Sequence, residues 1–354
     1  MTPVELSRTV LHAVRRAVDE GELSVTVPAR AVVTPPGPGG WGDYATNIAL
    51  QLARPAGRPP LRVAEVLRPY LVGAEGVVGV EITGPGFLNI ALESAASGEV
   101  VRRILRDGPT YGHSDALAGQ VVHLHAPHEV RALVVLDATA RLLRSQSAHV
   151  RTTCDAPPEP EWRAVLGVHV DAYGDIIVDS SDHAVTIRPT ATRTIPIPLS
   201  LSRDAARWAL LHPAAHDRPR ITPDHLVQRE SNPLFRVRYA HARTRALTRN
   251  AADLGFTADP GSIDVTPTAE HLLPALADHP RILTTAATHH APDRLARHLV
   301  SVADAVLPLL PTVLPRGAEK PSAAHRARLA LAEAAGTVLA GGLSLLGIDA
   351  PEHL

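Results

Sequence analysis

The sequence predicts a three-part fold: an α+β domain over residues 1–109, a short mixed α/β segment over 110–202 and an all-α helix bundle over 203–354. Three observations predict it. Helical and strand-like periodicities alternate through the first part, and from Arg203 onward apolar residues recur only at helical spacing. Between these stretches, proline-rich breaks at Asp155–Glu161 and at Pro189, Pro196 and Pro198 cut the pattern into short pieces.

In the first part, Thr2, Pro3 and Glu5 have the pattern of a helix start. They supply a capping hydroxyl, a proline at the first turn and a carboxylate that can reach back. Leu6, Val10, Leu11, Val14 and Val18 follow at helical spacing. A Pro/Gly-rich loop, Thr34 to Trp41, contains Gly37, Gly39 and Gly40. Asp43 is expected to open a helix carrying Ala45, Ile48, Ala49 and Leu52. Val77–Ile82 and Phe87–Ala91 read as strands joined at Gly84-Pro85-Gly86.

In the middle, Val121–Leu124 reads as a strand, Val130–Arg144 as a helix, Val165–Val178 as strand-like and Ala184–Leu201 as extended or looped rather than helical. In the last part, Leu234–Asn250, Ala269–Ala277, Pro280–Thr288, Asp293–Leu310 and Ala323–Leu346 read as helices of a bundle.

Bulk chemistry narrows the function. The formal net charge of the 354 residues is −1, so a surface that binds nucleic acid has to be local. Aromatic residues are 3% of the chain, too few for broad base-stacking platforms. The single cysteine, Cys154, excludes an internal disulfide and a multi-cysteine zinc site. The start of the chain lacks the apolar core and cleavage site of a secretory signal, and no apolar run reaches the length of a membrane span. A cytoplasmic protein with no membrane partner is expected. Lys320 is the only lysine, so lysine chemistry is excluded from nearly the whole chain.

Other candidate chemistry reads weakly. His123, His125 and His128 share a strand-like stretch but have no evident fourth ligand, so no metal is expected. His289-His290 falls between helices, and Cys154 lacks a partner that would make it a thiolate nucleophile. Asp171, Asp175, Asp179 and Asp182 lack the glutamate that closes a calcium loop. Gly37, Gly39 and Gly40 lack the preceding strand and the lysine of a phosphate-binding loop.

Three sets of residues carry a family resemblance. The first is Gly42-Asp43-Tyr44-Ala45-Thr46-Asn47-Ile48-Ala49-Leu50 with Gly84-Pro85-Gly86-Phe87-Leu88-Asn89-Ile90. The second is Asn232-Pro233-Leu234-Phe235-Arg236-Val237-Arg238-Tyr239-Ala240, followed by His241, Ala242 and Arg243. The third is Pro292-Asp293-Arg294-Leu295-Ala296-Arg297, Ala327-Arg328-Leu329-Ala330-Leu331 and Gly342 to Glu352. In this order they resemble the arginyl-tRNA synthetase family, from its N-terminal additional domain to its DALR-type anticodon-binding bundle. The resemblance implies that Asp43, Tyr44 and Asn47 lie near the D-loop of a tRNA. It implies that Arg236, Arg238, Tyr239, Arg243, Arg245, Arg249 and Arg328 lie toward the anticodon side. Arginine tRNA is the implied partner, with a true synthetase or another tRNA-dependent enzyme as a further one, and DNA is not.

Spacing supports the second string independently. Five arginines fall between Arg236 and Arg249 with no acidic residue among them. Arg238, Ala242, Arg245 and Arg249 fall on one helical face, an expected phosphate-tracking stripe, and Tyr239 is placed to stack on an unpaired base.

The resemblance also shows what departs. The family's His-x-Gly-His signature falls on Ala126-Pro127-His128-Glu129, with Arg131 as its trailing arginine. His128 takes the place of the glycine that admits ATP, and Glu129 puts a carboxylate toward polyphosphate. The stretch expected to hold the second signature, Thr186–Arg193, offers Arg188 and Arg193 but no lysine. Gly341 stands where the family usually has asparagine. The middle is therefore read as a reduced, Rossmann-like catalytic remnant. The expectation is a tRNA-binding protein without aminoacylation and without a cofactor, ATP entering only if the degenerate site works. The alternatives are an arginine-tRNA ligase with an altered ATP site and a protein partner of a true synthetase.

Overall fold

A computed structural model describes residues 3–34, 36, 41–92, 94–174, 183–192, 201–261 and 271–354. The chain divides into two compact units, one of residues 1–102 with 259–278, the other of residues 103–258 with 279–354.

The first unit is α+β. Helices α1 (Pro3–Asp19), α2 (Ile48–Ala56) and α3 (Pro60–Val72) pack on strands β1 (Val33–Thr34), β2 (Tyr44–Thr46), β3 (Val77–Thr83) and β4 (Phe87–Leu92). The sheet is antiparallel in the order β1-β2-β4-β3. Leu6, Val10 and Val14 of α1, Ile48 and Leu52 of α2, and Val63, Leu67 and Leu71 of α3 meet Leu88 and Ile90 in the core. The i, i+4 apolar spacing of α1 is what closes that layer.

One local expectation is corrected. Asp43 does not open a helix. Its backbone N–H donates to the Ile90 carbonyl at 2.9 Å, and its carboxylate accepts from Leu92 N–H at 2.8 Å. These bonds hold Tyr44–Thr46 extended against β4, and the helix begins only after Asn47. Thr2 and the glycines at 37, 39 and 40 lie outside the described residues.

Helix α4 (Ser94–Asp107) leads to a 3-10 turn at Gly108–Thr110. In the second unit, β5 (Val121–Ala126), β6 (His149–Cys154), β7 (Ala172–Tyr173) and β8 (His183–Thr186) form a parallel sheet in the order β7-β6-β5-β8. The first connection is helix α5 (Val130–Ser145) and the second contains α6 (Pro160–Leu166). This is the strand order of a mononucleotide-binding half, in which chain direction across the sheet reverses between β5 and β8.

Helix α5 is buried almost all round, Arg131 and Asp137 included, because α7 (Arg203–Leu211), α10 (Pro292–Val306) and α11 (Ala323–Leu345) cover the side away from the sheet. Val165–Val178 is corrected from strand-like. Pro160 starts a helix that stops at Gly167, and among the described residues only Ala172–Tyr173 pair as a strand. Asp175, Asp179, Asp182, Arg193, Pro196 and Pro198 lie outside the described residues.

The helical part contains α8 (Pro233–Asp253) packed against α10 and α11. Where two helices were expected, Ala269–Ala277 and Pro280–Thr288, one helix, α9 (Leu272–Thr288), continues through Pro280. Residues 269 and 270 lie outside the described residues. Gly341 lets α11 approach the 3-10 turn: a Cβ there would meet the Pro109 carbonyl oxygen at 2.7 Å. The departure from asparagine is thus steric. No described helix is long and apolar enough to cross a membrane.

Candidate functional site

Ligands of open parallel sheets sit where the strand order reverses, beyond the carboxyl ends of the strands. Here that point is bounded by Ala126 at the end of β5, the turn Pro127–Glu129, the N-terminus of α5 and the segment after β8. Glu129 is the N-cap of α5. Its carboxylate accepts from Ala132 N–H at 2.8 Å, from the Thr192 hydroxyl at 3.1 Å and from Thr192 N–H at 3.4 Å.

A helix N-terminus favours an incoming anion by at most about 2 kcal/mol. A phosphate brought within about 4 Å of the Glu129 carboxylate meets roughly 4 kcal/mol of repulsion at an effective dielectric of about 20. Repulsion wins. Ile187 N–H donates to the His125 carbonyl at 2.7 Å, so the chain leaving β8 stays close over this end of the sheet.

Arg131, fully buried, fixes the same segment from beneath. Its five N–H groups reach five carbonyls: Leu210 at 3.1 Å, Thr190 at 2.7 Å, Asp217 at 2.7 Å, Pro213 at 3.0 Å and Ala214 at 2.9 Å. Burial lowers its pKa, and all five donors are taken, so none is left for a ligand. Arg188 is exposed.

The histidines near the degenerate signature all have protein partners. His123 and His125 share the Thr153 hydroxyl at 3.1 and 2.9 Å, and His125 also meets Asp155 at 2.9 Å. His128 donates to the Pro157 carbonyl at 3.0 Å and packs on the Trp162 ring. Among the described residues no group of three or more His, Cys, Asp and Glu side chains is arranged to hold a metal. Cys154 is buried, which pushes its thiol pKa up. Asp171 accepts from the backbone and hydroxyl of Thr152 at 2.7 and 2.8 Å and serves as a structural cap.

In the first unit the two signature strings build the sheet. Gly42 sits at φ +87°, and a Cβ there would lie 2.7 Å from the Ile90 oxygen. Gly86, at φ +133°, backs onto Pro60. Tyr44 is buried, Asp43 is held by β4, and Asn47 stands at the N-cap position of α2 without a side-chain capping bond, its side chain accepting from Gln51 at 3.1 Å. Of these three, Asp43 is exposed, Asn47 half-buried and Tyr44 buried.

Along α8 the second string separates into two faces. Asn232 is the N-cap, accepting from Leu234 and Phe235 N–H groups at 3.1 and 3.4 Å, and Pro233 occupies the first turn. Leu234, Val237, Ala240, His241, Thr244 and Leu247 face inward. Phe235, Tyr239 and Arg243 form an outward row at i, i+4 and i+8. The Phe235 and Tyr239 rings stack 5.6 Å apart, and Tyr239 is 38% exposed. Arg243 is exposed.

The arginines expected to form a free stripe have carboxylate partners from distant parts of the chain. Arg236 pairs with Asp304 at 3.3 Å and Arg238 with Asp204 at 3.4 Å. Arg245 and Arg249 both face Glu352, at 3.0 and 3.6 Å. Arg328 donates to the Thr312 carbonyl at 3.1 Å. Counting acidic residues within the helix could not reveal these pairings. The one available signal was Glu352 itself, inside the last matching string.

A second buried arginine, Arg207, had no sequence signal. It donates to the Leu346 and Leu166 carbonyls at 2.8 Å each and to Asp137 at 2.6 Å, fastening α7 to α5, α6 and the end of α11.

A family model of the arginyl tRNA synthetase N terminal domain matches residues 5–92, and one of the DALR anticodon binding domain matches residues 237–354. The chain belongs to the arginyl-tRNA synthetase family. Residues 93–236, which include the Glu129 crevice, lie between the two matched stretches. An arginine–tRNA ligase of Renibacterium salmoninarum is 28% identical across the whole of both chains. That alignment runs over 550 positions, against the 354 residues present here. One from Micrococcus luteus is 39% identical over 166 residues, covering 42% of this chain and 30% of that protein. Among solved structures, the arginyl-tRNA synthetase of Thermus thermophilus superposes over all of both chains with a TM-score of 0.72 at 15% identity. That of Plasmodium falciparum gives 0.74 at 8%, over 99% of each chain. At such identities the family's structures speak for the fold alone.

Proposed function

We propose that this chain binds tRNA, with arginine tRNA as its specific partner, and does not itself form arginyl-adenylate. Tyr239, Arg243, Asp43 and Asn47 are the side chains assigned to RNA. The exposed row on α8 supports the anticodon side, within the stretch that matches an anticodon binding domain. The loss of adenylate chemistry rests on one observation: the Glu129 carboxylate occupies the α5 N-terminus and is bonded to Thr192. A middle segment carrying no lysine supports the same reading.

A second reading, a working arginine–tRNA ligase, is favoured by the relatives. Those matched across the whole chain carry that name, and the comparisons weigh toward it. In that reading Arg188 would supply charge that lysine supplies elsewhere. Arginine-dependent ATP–pyrophosphate exchange, with and without tRNA, separates the two, and exchange above background would end the first. Filter binding of arginine tRNA against other tRNAs across a salt series tests the shared part. Neutralised phosphates predict that log Kd rises linearly with log salt concentration.

A further inference from the structure

Beyond α11 the chain turns at Gly347 and runs along α8 from His241 toward Arg249. Its course is fixed by backbone contacts. Asp349 N–H donates to Asp204 at 3.2 Å, and His241 Nδ1 donates to the Pro351 carbonyl at 3.0 Å. Glu352 then sets one carboxylate between two guanidinium groups. Arg245 reaches Oε1 through Nε and Nη2 at 3.1 and 3.0 Å, while Arg249 lies 3.6 Å from Oε2. Arg249 also donates to the Glu352 carbonyl and to His353 Nδ1, both at 3.4 Å.

The hydrogen bond from Arg245, and its charge, hold Glu352 below the usual carboxylate range, so the negative charge is present at neutral pH. An anion held by two arginines on a helix surface is the arrangement an RNA phosphate makes. The Arg245 and Arg249 side chains remain 45% and 41% exposed and Glu352 53%, so a phosphate can reach both side chains, with Arg249 Nη1 itself buried while Glu352 is in place. Such exposed pairs contribute little net stability and are weakened by salt. Arg238 differs. At 24% exposed, and paired with an Asp204 that is 11% exposed, it is less accessible.

We propose that Glu352 is a displaceable stand-in for phosphate: it holds Arg245 and Arg249 while α8 is empty and yields them to the backbone of a bound tRNA. The proposal rests on the reading that this chain binds tRNA. Rotation of the Glu352 side chain frees Arg245 and the carboxylate side of Arg249, whose long contacts to the Glu352 carbonyl and His353 also give way, while the Asp349 and Pro351 contacts keep the segment in place. The carboxylate then acts as a gate that weakens RNA binding and screens out weakly charged competitors.

The test measures tRNA affinity at low ionic strength for the full chain, for Glu352→Gln, for Arg245→Gln/Arg249→Gln, and for the triple variant. Glu352→Gln is expected to bind roughly two- to fivefold tighter, and the gain is expected to vanish once both arginines are gone. If the unmodified chain binds no tRNA, the underlying reading fails. If it binds but Glu352→Gln is equal or weaker, Glu352 orients the arginines and the gate is overturned. A gain of the same size without the arginines also overturns it, since that would reflect net charge alone.

Discussion

Glu129 and Thr192 meet across the carboxyl end of the parallel sheet, the carboxylate accepting from the hydroxyl at 3.1 Å while it caps the helix that follows β5. One side chain therefore finishes a helix, fastens a crossing segment and places negative charge where a nucleotide phosphate would approach. Replacing Glu129 by alanine removes the cap, at a cost of about 1 kcal/mol. The midpoint of urea denaturation should fall accordingly, and Glu129→Gln, which keeps the acceptor, should lose less. An unchanged midpoint in the alanine variant would contradict the capping role.

Arg131 should be far less tolerant. Its five carbonyl partners lie at Thr190 and between Leu210 and Asp217. Arg131→Ala leaves buried carbonyls without donors, a loss of about 3–5 kcal/mol by analogy with broken buried pairs. Lysine cannot reproduce the planar fork, so Arg131→Lys should restore little. Chemical denaturation of both variants checks this, and near-native stability of the lysine variant would contradict it.

Arg207 and Asp137 form a buried pair that can be tested as a cycle. Arg207→Met alone leaves the largely buried Asp137 with only the partly exposed Arg141 as partner, while Arg207→Met/Asp137→Leu removes both charges of the pair. The single variant should lose about 3–5 kcal/mol and the double variant less, since a lone buried charge costs more than an apolar replacement of the pair. Additive losses would show that the two groups do not act together.

On α8 the outward row should dominate RNA affinity. Tyr239→Ala should cost roughly 1–3 kcal/mol of tRNA binding if a base stacks there. Arg243→Gln should flatten the salt dependence by about one phosphate. Arg236→Gln should matter less, since Asp304 already engages that side chain. Filter binding across a salt series measures all three, and the reverse order would remove the outward row as the binding face.

Acid should destabilise the fold through desolvated imidazoles, of which His241 and His279 are the buried ones. Burial lowers the pKa of His113, His212, His241, His279 and His290 below the ordinary value of 6.5. As pH falls below about 6.5 the unfolded chain takes up protons that the folded chain resists, so stability is greatest above that pH and declines beneath it. His279, buried with no hydrogen-bond partner at Nδ1, should contribute strongly. Melting temperatures at about pH 7.5 and pH 5.5 should diverge, and His279→Leu should narrow the gap. A flat profile would contradict the argument.

Much of the architecture was legible because it rests on local periodicity. The apolar spacing of α1, the strands around Gly84-Pro85-Gly86 and the helix read over Leu234–Asn250 all reappear in the structure. Reading failed where a distant partner overrode the local pattern. Ladder bonds to Ile90 and Leu92 pull Asp43 and its neighbours into a strand, and Pro280 sits inside a helix. The site shows the same division. Tyr239 and Arg243 are exposed, but Arg236, Arg238, Arg245 and Arg249 meet carboxylates that lie tens of residues away in sequence and so leave no local trace.

The close approach of α11 to Pro109 turns a single letter into a diagnostic. A relative with asparagine at the place of Gly341 cannot route its chain past that helix as this protein does, because a side chain would collide with the Pro109 carbonyl. Reading that one column across the family would therefore sort sequences by how the connection into the nucleotide-type sheet is laid, before any of their coordinates are known.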